Sequence, residues 1–135
     1  MLDHLVKTEI EILSAARRGA ALPHHVGIAD KLRTTLLNKI FASDRRVKVP
    51  ASARSVLPGS ELRLEEIRGR WNKSRAELLD FVSQGSSELL DKGIFRHPVG
   101  GWMGITQILE FFSVHLIHHS YQLDRIRRSV PLDRT

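Results

Sequence analysis

The stretch FFSVHLIHHSYQLDRIRR, residues Phe111 to Arg128, carries both the fold and the chemistry of this chain. It contains neither Gly nor Pro, and its apolar residues recur at helical spacing. We take Ile105 as the reference direction and advance about 100° per residue. Leu109, Phe112, Leu116 and Leu123 then fall within about 40° of it and define the expected buried stripe. His119 lies about 40° to one side, His115 about 80° and Gln122 about 100° on the same flank, while His118 points toward water at about 140°. His115 and His119 are thus neighbours on successive turns at the edge of the core. Two imidazoles at that spacing can share one divalent ion, as they do in HExxH helices. The spacing leaves a second reading open, in which both rings are core-edge polar groups satisfied by Gln122, Glu110 or a buried water.

Working outward, this last helix is expected from about Trp102 to Arg128, before Pro131. Arg125, Arg127 and Arg128 sit at its C-terminal end, where the helix dipole favours positive charge. Before it, His97-Pro98 and Gly100-Gly101 mark a loop over Ile94 to Gly101, with His97 serving the turn. Residues 86–92 make a single turn. Leu64, Ile67, Trp71, Ser74, Leu78 and Phe81 alternate spacings of three and four, which predicts a bundle-type helix ending near Gly85. Residues 43–60, with Pro50, Pro58 and Gly59, read as a long surface connection. A short helix over about Ile28 to Ala42 carries Leu32, Leu36 and Ile40 four apart. Residues 20–27, including His24-His25, form a loop. The first helix runs from Leu2 to about Ala20, with Gly19 placed to close it. On its wheel Glu9 shares the apolar side with Leu2, Leu5, Leu13 and Ala16, whereas His4 lies nearly opposite. Nothing alternates with period two, so the fold class is all-α, an antiparallel bundle in one domain over residues 1–135.

The 135 residues suffice for one domain with a real core. The chain has no cysteine, which excludes disulfides, thiolate nucleophiles, iron–sulfur clusters and Cys-based zinc sites. Its seven histidines are left to carry soft-metal or proton chemistry. No apolar run reaches the length of a membrane span and no secretory leader is visible, so a cytoplasmic protein without membrane contact is expected. The net charge of +6 and the runs Arg45-Arg46-Val47-Lys48 and Arg125-Ile126-Arg127-Arg128 make nucleic acid a partner to weigh. The second run already satisfies a helix end, and no nucleic-acid-binding motif accompanies either. Nucleic acid is therefore set aside. Phosphate loops, dinucleotide fingerprints and nucleophile elbows are absent.

Leu2-Asp3-His4-Leu5-Val6-Lys7-Thr8-Glu9 resembles the second-helix signature of the DinB/YfiT-like superfamily, an aliphatic residue, then His-Leu, with Glu five after the His. His97-Pro98-Val99-Gly100-Gly101-Trp102-Met103-Gly104-Ile105-Thr106-Gln107 resembles that family's approach to its last helix, and His115-x-x-x-His119-x-x-Gln122 its last-helix ligand pair. Pro58-Gly59 followed by Trp71-x-x-x-Arg75-x-x-Leu78-Leu79 fits the middle. The resemblance covers almost the whole chain. It implies a four-helix bundle holding a divalent metal, often zinc or nickel, on His4, His115 and His119. Gln122 would orient a ligand ring, and Glu9 is a candidate base or substitute ligand. Some relatives transfer or isomerise with a low-molecular-weight thiol, so the expected function is metal-dependent hydrolysis or thiol S-transfer on a small-molecule substrate. The family's signature helix follows a complete first helix, whereas His4 stands at the very start here. Either the true start lies upstream of Met1 or the bundle is shortened at its N-terminus; a shortened bundle is expected to have an exposed apolar groove closed by homodimerisation and His4 on a fraying turn. The competing expectation is a non-catalytic helical module with a degenerate metal site, acting through dimerisation or partner binding.

Overall fold

The computed structural model describes residues 1–48, 51–57, 62–85 and 87–130. Pro50, Pro58-Gly59 and Pro131, used as breakers above, lie outside the described residues. The chain is all-α in character. Helices α1 (Leu2–Gly19), α2 (Ile28–Phe41), α3 (Leu64–Gln84) and α4 (Ile105–Ser129) match the expected helices to within a few residues. Three of them start on the same device. An acid or amide in the first turn reaches back to an otherwise unpaired backbone N–H, which satisfies an orphan donor of the helix end. Asp30 accepts from Gly27 N at 3.0 Å, Glu66 from Arg63 N at 3.0 Å and Gln107 from Gly104 N at 2.7 Å.

Four short strands correct the strand-free expectation: β1 (His24–His25), β2 (Lys92–Gly93), β3 (Phe95–His97) and β4 (Gly101–Met103). β1 pairs antiparallel with β2, and β3 with β4. They are too short to show alternation, so periodicity could not find them. Trp102, expected in the last helix, lies in β4, where it pairs with Arg96 and stacks on His24 at 3.9 Å between ring centroids. Asp30 joins this hairpin to α2, because its other carboxylate oxygen accepts from Trp102 N at 3.2 Å. Gly101 has φ 77°, and a side chain there would also collide with Asp30.

The core gathers Ile12, Leu13 and Ala16 of α1, Leu37 and Phe41 of α2, Leu78 of α3, Ile94 and Met103 of the hairpin, and Ile105, Ile108, Phe111 and Phe112 of α4. Several stripes differ from their expected positions. On α2 the inward residues are Thr34, Leu37 and Phe41, whereas Leu32 and Leu36 are exposed. A leucine repeat four apart drifts around a helix, and here β4 and α4 meet the flank beside it. On α3 only Ser74 and Leu78 are fully buried, because the helix packs chiefly against α1. On α4 the buried arc runs through Ile108, Phe111, Phe112, His115, His118 and His119, while Leu109 and Leu123 are exposed. Its centre is near His115, about 70° from the direction set by Ile105 and the leucines. His118, expected in water, is therefore buried.

Helix α1 is buried on several sides at once, from Asp3, His4 and Leu5 to Leu13 and Ala16. It packs on α3, α4 and β3, and on a 3₁₀ segment, Ala51–Val56. That segment lies in the stretch expected to be a surface connection. It covers the face of α1 that the wheel had left outside. No helix is long and apolar enough to cross a membrane among the described residues.

Candidate metal centre

Three histidines from the two ends of the chain meet between α1 and α4. His4 Nε2 lies 3.3 Å from His115 Nε2, which lies 3.1 Å from His119 Nε2. All three residues are buried, and one nitrogen from each lies within 4.8 Å of the others. A tetrahedral zinc ion with Zn–N of about 2.0–2.1 Å sets its ligand nitrogens about 3.3 Å apart. The two short separations match that spacing.

The outer nitrogens determine what the inner ones can do. His4 Nδ1–H donates to the Val56 carbonyl at 2.6 Å. A carbonyl can only accept, so the proton is on Nδ1 and the Nε2 lone pair faces inward. His119 Nδ1–H donates to Gln122 Oε1 at 2.8 Å, which fixes the same tautomer. The Gln122 amide nitrogen in turn donates to His118 Nε2 at 3.2 Å. Two lone pairs therefore converge on His115 Nε2, and one N–H there can serve only one of them. A cation resolves all three at once. A single proton does not, because one added N–H still leaves one of the lone pairs unserved.

The titration of the rings follows from the same burial. Burial, reinforced by the neighbouring histidines, pushes His115 down to about 2. Burial brings His119 to about 4 against the opposing hydrogen bond from Gln122, and brings His97 to about 4. Burial also lowers His118. The folded state thus resists protons that the unfolded chain takes up near pH 6.5. The sign follows directly. Stability from these groups is complete above about pH 6.5 and falls as pH drops toward 4, by about 1.4 kcal/mol per pH unit for each proton taken up on unfolding. Urea unfolding of metal-free protein at pH 7, 6 and 5 should show this decline. A flat profile would contradict the burial of the rings.

The remaining site residues take distinct places. His4 is not frayed, since the Val56 carbonyl and the cover of Ala51–Val56 fix its ring. Gln122 bridges His118 and His119. Glu9 is buried one turn and more beyond His4. Its carboxylate accepts from Arg75 Nη2 at 2.6 Å and from Trp71 Nε1 at 3.1 Å. Burial raises its pKa, and the Arg75 charge and hydrogen bonds oppose that rise. Glu9 does not line the cavity beside the histidines, so the structure does not bring it to the other three. It holds α1 to α3, and this explains the spacing of Trp71 and Arg75 on α3. Lys7 pairs with Asp3 at 2.8 Å on the same helix.

A cavity of about 220 Å³ opens onto the cluster. His4, His115 and His119 line it together with His97, His118, Phe41, Val56 and Phe111. Periodicity missed two of these. His97 accepts from Val99 N and Gly100 N at its Nδ1, the expected turn role, but its ring also tilts onto Phe111 at the cavity wall. His118 packs on Phe41 at 5.0 Å. The available signal is the spacing of His115 and His118, because residues three apart are neighbours on one helix flank.

The family model described as the DinB superfamily matches residues 1–123. No curated protein and no solved structure matches the chain. The match spans most of the sequence and includes all three clustered histidines and Gln122.

Proposed function

We propose that this chain, which belongs to the DinB superfamily, is a metal-dependent enzyme acting on a small molecule in the cavity beside His4, His115 and His119. The observation that carries the reading is the meeting of three imidazole nitrogens at ligand spacing, two of them with lone pairs fixed inward by Val56 and Gln122. His4, His115 and His119 would hold a divalent ion, zinc or nickel. A bound ion with an open position supplies Lewis acidity, lowering the pKa of a water or thiol so that it becomes a nucleophile near neutral pH. Three protein ligands facing a cavity leave that position open, which distinguishes a catalytic arrangement from a closed structural one.

Transfer of a low-molecular-weight thiol to an electrophile is the more concrete form of this reading, with hydrolysis the other. Leu37, Ile40, Phe41, Val47, Val56 and Phe111 give the cavity a mainly apolar wall suited to an apolar electrophile, and in a chain without cysteine the sulfur would come with the small thiol. Glu9 supports the frame of the site and not the proton transfer. Gln122 holds His119 in the binding tautomer.

Cobalt substitution tests this reading. The cobalt-loaded protein should show the intense visible bands of a four-coordinate ion, and azide should shift them by taking the open position. Gln122→Leu should weaken metal affinity by about 10–100-fold, the usual cost of losing a group that orients a ligand. A cobalt spectrum indifferent to azide, or an octahedral spectrum of loosely held ion, would overturn the proposal.

A further inference from the structure

The histidine cavity has an outer neighbour. An open cleft of about 500 Å³ is lined by Arg46, Val47, Gln122, Arg125, Ile126 and Ser129. Val47 and Gln122 belong to both chambers, so they form the partition between them. Gln122 is bonded to His118 and His119 on the inner side, which places the outer cleft one side chain away from the candidate ligands.

The two chambers differ in chemistry. The inner one is walled mainly by aliphatic and aromatic side chains and the histidines, with Lys48 contributing a charge. The outer one is cationic. Arg125 is committed to Asp44, through its carboxylate and its backbone carbonyl. Among the described residues, no ion pair engages Arg46 or Lys48. Among the described residues, no carboxylate lines either chamber. Uncompensated positive charge at the mouth of an apolar cavity raises the local concentration of anions and orients them as they enter. A guanidinium also matches a carboxylate or phosphate with two parallel hydrogen bonds.

We propose that the site takes a small amphiphilic anion, its apolar body in the histidine cavity and its carboxylate or phosphate group held by Arg46 and Lys48 where the two chambers meet. The inference rests on the reading of the histidine cavity as the reaction chamber and specifies what enters it. It gives the basic run Arg45-Arg46-Val47-Lys48 a role other than nucleic-acid binding.

The test compares two probes of one shape, 3-phenylpropionate and its uncharged amide, binding to zinc-loaded protein by calorimetry in low salt. The carboxylate should bind about tenfold more tightly. The preference should shrink as sodium chloride is raised, because the charges concerned are exposed. It should fall to within about twofold in Arg46→Ala/Lys48→Ala. Arg68→Ala removes one positive charge from α3, outside both chambers, and should leave the preference intact. Equal binding of the two probes, no binding of either, or a preference that survives Arg46→Ala/Lys48→Ala would overturn the proposal. In the last case the carboxylate is being held by the zinc. Zinc content is measured in every variant. Loss of metal in the native protein would strike at the metal centre itself, whereas retained metal with no carboxylate preference strikes only at the anion site.

Discussion

Replacing His115 by alanine is expected to erase the thermal stabilisation that zinc gives the native protein. An ion that binds only the folded state contributes about 2.7 kcal/mol at a hundredfold excess over its dissociation constant. For a chain of this length that corresponds to a rise of roughly 10 °C in melting temperature. His115 is the middle ring, with the imidazoles of His4 and His119 both directed at its Nε2. Its removal leaves two ligands and no centre, and the zinc-dependent shift should drop to about 1 °C or less. The same variant should lose part of the acid sensitivity of the metal-free protein, because the ring pushed down to about 2 no longer has to be kept neutral. A zinc-dependent shift of native size in His115→Ala would show that the ion binds elsewhere.

The second large effect is structural. Gly19→Ala should destabilise the protein by about 3 kcal/mol or more, the upper range for overpacking, because the obstruction is backbone and cannot rotate away. A Cβ at Gly19 would overlap the carbonyl of Ile94. Ile94 is almost fully buried and its N–H donates to Met103 O at 3.0 Å, so it cannot retreat without opening the hairpin. That hairpin ends in Gly104, where α4 begins. Gly69→Ala is the matched comparison. Gly69 sits inside α3 with nothing within 4 Å of an added Cβ. Alanine there should stabilise by about 0.5–1 kcal/mol through helix propensity alone. Urea midpoints of the two variants should move in opposite directions, and equal shifts would contradict the close approach of α1 to Ile94.

These two predictions mark where the sequence was legible and where it was not. The four helices were readable because each carries a long periodic segment between Gly or Pro breakers. His115, His119 and Gln122 were readable as one flank of one helix. Gly19 looked like a helix stop, and its second role, admitting the Ile94 backbone, depends on a contact 75 residues away in sequence. His4 was nominated only by family resemblance. Its wheel position was unfavourable because a wheel assumes one buried face, whereas α1 is covered on several. The cover comes from Ala51–Val56, a segment without period that offers the Val56 carbonyl to His4. The α4 stripe was misplaced for a related reason. In the sequence the leucines mark the core, but the most buried arc of that helix is partly lined with imidazoles, so hydrophobicity points to its edge. Polar residues gathered into a core are what a hydrophobic pattern hides, and they are the residues the proposed chemistry uses.

The most direct measurement is metal content by inductively coupled plasma mass spectrometry. Native protein, His4→Ala and His119→Ala would each be exposed to zinc or nickel and then dialysed against metal-free buffer. Three histidines acting as one centre predict about one ion per native chain and almost none in either variant, although the two substitutions lie at opposite ends of the sequence. Native protein that takes up no ion, or variants that keep it undiminished, would contradict the metal centre and leave a histidine-lined cavity in a helical bundle.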